Sequence, residues 1–97
     1  MTDGTGSTTD IGARLRALRA ALEMNQSAFC KLTGIGQSAL ANYESGFRRP
    51  DIDKAWLIAQ KTGATLDWIY YGVRSGLPLH LSERLPAHLA ETRQAAR

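Results

Sequence analysis

The sequence predicts an all-α fold, a compact bundle of five short helices, and three observations carry that prediction. Apolar residues recur at three- and four-residue spacing in successive short segments. Most of these segments open on a capping residue type and close on a glycine. No segment shows strand-like alternation or an Asn-Gly or Asp-Gly hairpin turn.

In chain order, Ile11, Leu15, Leu18 and Leu22 lie at helical spacing behind Asp10, which is placed as an N-cap. Asn25 opens a second helix with Ala28, Phe29 and Leu32 inward, and Gly34 stands where a positive φ would end it. A third helix runs from Gln37 to Ser45, with Leu40 and Tyr43 inward and Gly46 closing it. The Arg48-Arg49-Pro50 loop leads to a fourth, Asp51 to Thr62, whose expected apolar stripe is Ile52, Ala55, Trp56 and Ala59 before Gly63. Thr65 caps a fifth helix through Tyr71, ended by Gly72, and both Trp56 and Trp68 are assigned to the core. This divides the chain into a flexible segment 1–10, a domain 11–72 and an extension 73–97. The extension reads as a mobile tail or a partner-docking segment, with Leu77, Leu79, Leu81, Leu85 and Leu89 as its apolar residues and a further helix conceivable over Pro86 to Arg97.

At 97 residues there is room for one domain of ordinary size. Hydrophobic residues make up 43% of the chain, enough for a core, yet no apolar run nears the ~20 residues of a membrane-spanning helix. The first ten residues lack the layout of a signal or transit peptide, so a cytoplasmic protein is expected. Cys30 stands alone, which excludes an internal disulfide and reads as a small buried hydrophobe. With His80 and His88, read as surface residues, it offers no metal-ligand spacing, and no cofactor is expected. A nucleophile with a base, paired carboxylates and a phosphate-binding glycine loop are all missing, so the reading is not an enzyme. The net charge is +3, but its distribution is more informative than its sum. Arg14, Arg16, Arg19, Lys31, Arg48 and Arg49 outweigh Glu23 and Glu44 over residues 11–49, which reads either as an electrostatic footprint for phosphates or as a solvated face.

One spacing carries chemistry. A helix-turn-helix needs a small residue where its helices cross, a glycine in the turn, and apolar anchors that hold the second helix clear of the body. Counting from Gln26 as first, Cys30 is fifth, Gly34 ninth, Leu40 fifteenth and Tyr43 eighteenth. Gln37, Ser38, Ala41 and Asn42 then face outward, on a helix that fits a major groove and presents amides able to pair with adenine edges.

At this point residues 11–72 resemble the Cro and phage-repressor family of helix-turn-helix domains, also called the Xre family. The resemblance rests on Arg19, Asn25-Gln26, Gly34, Gln37-Ser38, Tyr43-Glu44-Ser45-Gly46, Arg49-Pro50, Leu66-Asp67-Trp68-Ile69 and Tyr70-Tyr71-Gly72. It implies a DNA-binding transcriptional regulator, expected to be a repressor. Gln37, Ser38 and Asn42 would read bases, while Gln26, Ser45, Arg48 and Arg49 would meet phosphates, Gln26 also bracing Gln37. It further implies a structural ion pair between Arg19 and Glu44. Departures are Gly36, where relatives often carry a capping hydroxyl, Glu23 at a spot often held by glycine, and Cys30 and Phe29 in place of alanine and leucine. Ile69, Tyr70, Tyr71 and Val73 place more apolar surface near the fifth helix than a small bundle can bury, so a homodimer through them on an inverted-repeat operator is expected. The alternative is a protein-interaction regulator, an antitoxin or antiactivator that sequesters a partner protein through the domain or its leucine-rich extension.

Overall fold

Side-chain caps open four of the six helices in the computed structural model, which describes residues 6–87. The six are α1 (Thr8–Ala21), α2 (Gln26–Thr33), α3 (Gln37–Glu44), α4 (Ile52–Thr62), α5 (Leu66–Tyr71) and α6 (Leu79–Ser82). No strand occurs among the described residues. The side chains of Asn25, Asp51 and Thr65 accept from the backbone N–H groups of Ala28, Lys54 and Trp68, satisfying one otherwise unpaired donor at each helix start. In α1 that role falls to Ser7, whose Oγ accepts from the Asp10 N–H at 3.1 Å. Asp10 is therefore not the N-cap but a buried first-turn residue, and residues 8–10 expected to be loose belong to the helix. Residues 1–5 lie outside the described residues.

The core joins all of these elements. Ile11, Leu15 and Leu18 of α1, Phe29 of α2, Leu40 and Tyr43 of α3, Ala55 and Ile58 of α4, and Trp68 and Ile69 of α5 form one buried cluster with Ile35 and Ala64. α1 packs on α3 and α5, α2 on α3 and α4, and α4 on α5. The stripe of α4 is rotated from the expected one: Ala55, Ile58 and Thr62 are buried, whereas Ile52 is 58% and Trp56 50% exposed. Trp56 is thus not a core residue. Six of the first eight residues of α4 are apolar, and its packing against α2 and α5 selects the Ile58 side.

The packing does not end at Gly72. Leu81, in α6, and Leu85 are buried in the same cluster, and Leu77 packs against it. Arg74 fastens this segment by donating to the carbonyls of Ser82 (2.7 Å) and Pro86 (2.8 Å), while Arg84 Nη1 reaches the Ala21 carbonyl at the end of α1. Residues 73–85 are therefore part of the body rather than a tail, since the leucines fill core volume that five helices leave open. Leu79 alone of the four described leucines is strongly exposed, and Leu89 and the helix weighed over Pro86–Arg97 fall mostly outside the described residues.

Candidate nucleic-acid interface

The geometry of the site begins with the turn between α2 and α3. Thr33 Oγ1 donates to the Phe29 carbonyl at 2.9 Å and accepts from Ile35 N–H, Gly34 turns the chain at φ 81°, and Ile35 plugs into the core. Each step is satisfied internally, so α3 leaves the turn in one direction. Its inner face is Leu40, Tyr43 and Glu44, which leaves Gln37, Ser38 and Ala41 exposed and Asn42 half-buried. Gly36 precedes it without a side-chain cap.

At its other end α3 is locked to α1. Gly12 lies so close that an added Cβ would stand 2.6 Å from the Tyr43 carbonyl oxygen and 2.7 Å from that of Glu44. Arg16 Nη1 donates to the same Glu44 carbonyl, one of the last in the helix without an intrahelical partner. The Glu44 side chain is only 4% exposed, and its charge is held by three donors. Arg19 Nε reaches Oε2 at 2.8 Å and Nη2 reaches Oε1 at 3.0 Å, while Gln26 Nε2 also donates to Oε1 at 3.0 Å. These hydrogen bonds to Glu44 push the Arg19 guanidinium further toward its charged form. Arg19 Nη1 additionally ties the Met24 carbonyl at 3.1 Å.

The Gln26 amide, expected to brace Gln37, is thus directed at Glu44. A carboxylate buried this deeply needs more than one partner, and Gln26 at the start of α2 supplies the third N–H. Arg14, a second arginine of α1, is not available to phosphate in the way the charge count implied. Arg14 is fully buried, donating from Nε to the Ile69 carbonyl at 3.0 Å and from Nη2 to the Tyr70 carbonyl at 2.8 Å, which closes the C-terminal end of α5. Together with Arg19, this removes two of the six cations from the surface footprint. The exposed ones are Arg16, Lys31, Arg48 and Arg49.

Beyond α3 the loop folds back on the helix end. Ser45 Oγ donates to the Asn42 carbonyl at 3.1 Å, and the N–H groups of Phe47 and Arg48 donate to that same carbonyl. Arg48 and Arg49 are exposed and, with Ala39, Asn42, Tyr43 and Asp51, line an open groove beside α3. Arg49 also donates to the Gly6 carbonyl. Cys30, expected to be buried, is half-buried, and its thiol is pushed up from the ordinary range by desolvation and by the negative Glu44. Among the described residues no three His, Cys, Asp or Glu side chains gather to hold a metal ion, and no helix is long and apolar enough to cross a membrane.

The second surface lies around α5. Ile69, expected at a dimer contact, is fully buried, because the face of this short helix that meets α1 must fill the core. Tyr70 is half-buried with its hydroxyl donating to the Pro50 carbonyl at 2.9 Å, and burial raises its phenol above the ordinary range. Tyr71 (57%) and Val73 (44%) remain exposed, and Tyr71 shares a cleft with Ile52 of α4. The exposed Phe47, Ile52 and Trp56 were not singled out as surface residues from the sequence. For Ile52 and Trp56, a solvent-facing position at helical spacing in α4 leaves no distinguishing pattern, and Phe47 lies in the loop after α3, where no periodicity marks which side chains are exposed.

A family model described as helix-turn-helix matches residues 15–69, more than half of the chain. The chain belongs to the Cro/phage-repressor (Xre) family of helix-turn-helix proteins, a class of DNA-binding transcription regulators. Neither the curated proteins nor the solved structures searched gave a match.

Proposed function

We propose that this protein is a sequence-specific repressor that binds an inverted-repeat operator as a homodimer in the cytoplasm, with α3 in the major groove of each half-site. The observation that carries the reading is the exposure of Gln37, Ser38 and Ala41, with Asn42 beside them, on a helix locked to the body at both ends. Gln37 is the principal base reader, since its amide can donate and accept on one base edge. Ser38 and Asn42 contribute further base contacts, and Ser45, Arg48 and Arg49 meet phosphates. Gln26, engaged with Glu44, acts on phosphate only through its remaining polar capacity. Two copies associate through Tyr71 and Val73 together with Ile52 and Trp56, which lie one helical turn apart on α4. The partner-docking alternative loses its main support, because Leu81 and Leu85 are spent in the core.

The test is a binding titration of wild type, Gln37→Ala and Arg49→Ala against operator and scrambled duplex at several salt concentrations. Gln37→Ala relaxes preference at one base pair per half-site, a loss of about 1–3 kcal/mol of discrimination. Arg49→Ala weakens binding to every duplex and lowers the salt slope by about one. Equal wild-type affinity for both duplexes would refute specific recognition. Sedimentation of Tyr71→Ser at micromolar concentration, compared with wild type, tests the dimer face.

A further inference from the structure

We propose that Phe47 is a DNA-contacting residue whose ring supplies an apolar contact to the groove edge of the duplex, against a thymine methyl group or the deoxyribose beside it. This rests on the reading of α3 and the loop after it as the DNA-facing surface. At 74%, Phe47 is the most exposed large hydrophobic side chain among the described residues.

The backbone beneath the ring is held rather than loose. The Phe47 N–H donates to the Asn42 carbonyl at 3.0 Å and approaches Ser45 Oγ at 3.4 Å, and the Arg48 N–H shares the Asn42 carbonyl at 3.2 Å. On the other side, Gly46 lies against the first turn of α1, where an added Cβ would be 3.2 Å from Thr9 Cα. The loop is fastened to both α3 and α1, so the phenyl ring is carried on a braced support next to Asn42.

Its surroundings identify the occupant. Arg48 and Arg49 follow it in the chain, both exposed, and both line the groove that Asn42 and Ala39 share. An apolar ring set among cations suits a partner that is anionic yet carries apolar spots at its edge. Duplex DNA has that composition, with phosphates flanking thymine methyls and sugar faces. Arginine provides the salt-dependent part of such binding, and the ring provides a part that salt does not screen.

The experiment uses the full chain, a duplex enriched from a randomised pool, and a scrambled duplex. Phe47→Ala is expected to weaken binding about tenfold with an unchanged salt slope, in contrast to Arg49→Ala. Its thermal midpoint and sedimentation are expected to match wild type, since the ring is exposed. Replacing thymines of the enriched duplex by deoxyuridine, one at a time, locates the contact. A position where uracil weakens wild type but not Phe47→Ala assigns it to a methyl group, and indifference to uracil throughout assigns the loss to deoxyribose. Wild-type affinity in Phe47→Ala would overturn the proposal, as would a loss explained by a lowered midpoint or by weaker self-association. A wild type that binds both duplexes equally would refute specific recognition, while the ring contact is then still scored on the scrambled duplex. Absence of any duplex binding would end both.

Discussion

Glu44 shows how much one side chain organises. Its carboxylate is nearly inaccessible and takes three N–H donors from two other helices, so it joins α1, α2 and α3 at the base of the exposed helix face. Removing Arg19 leaves a buried charge with only Gln26 against it, and Arg19→Met is expected to cost roughly 3–5 kcal/mol in urea denaturation. Glu44→Gln costs less, because Arg19 is 22% exposed and can regain water. A second residue points the other way. Glu23 adopts φ 58°, a left-handed conformation that carries strain for a residue with a Cβ. Glu23→Gly is expected to stabilise the fold by about 0.5–1 kcal/mol, after the greater chain entropy of glycine is counted. The unusual turn at Glu23 and the Arg19–Glu44 pairing were both legible in the sequence through the family pattern, one as a departure from it and the other as a match. Arg14 was not, since its acceptors lie 55 and 56 residues away and nothing in its neighbourhood distinguishes it from a surface cation.

Among the elements, the tight crossing of α1 over the end of α3 is the most demanding. Gly12→Ala would drive a methyl group into two carbonyl oxygens that belong to backbone and cannot rotate away. A destabilisation of about 1–3 kcal/mol or more is expected by thermal unfolding, with weaker DNA binding as α3 shifts. The starts and stops of α2, α4 and α5 were readable from the sequence, because caps are set by neighbours a few residues apart. The inward face of α4 was not. Six of its first eight residues are apolar, so periodicity alone left several stripes possible, and only contact with α2 and α5 settles that Ile58 rather than Trp56 goes inside. The same non-locality hid α6, a helix of four residues with no side-chain cap.

For the molecule as a whole, the body extends through Leu85, and the surface carries the exposed residues of α3, proposed to face DNA, and an apolar side around Tyr71. Leu81→Ala, at a fully buried position, is expected to cost about 2–5 kcal/mol, measured by chemical denaturation. A change within a few tenths of a kcal/mol would mean that the extension does not hold the core together in solution. The proposed recognition mode predicts two half-sites related by symmetry, because each copy presents one α3 and the copies meet through α4 and α5. Selection of the full chain on randomised duplex DNA at moderate salt tests this most directly. The expected result is enrichment of an inverted repeat whose half-site centres lie about one helical turn, roughly 34 Å, apart. A pool that stays random after repeated rounds, with equal affinity for selected and unselected duplexes, would contradict it.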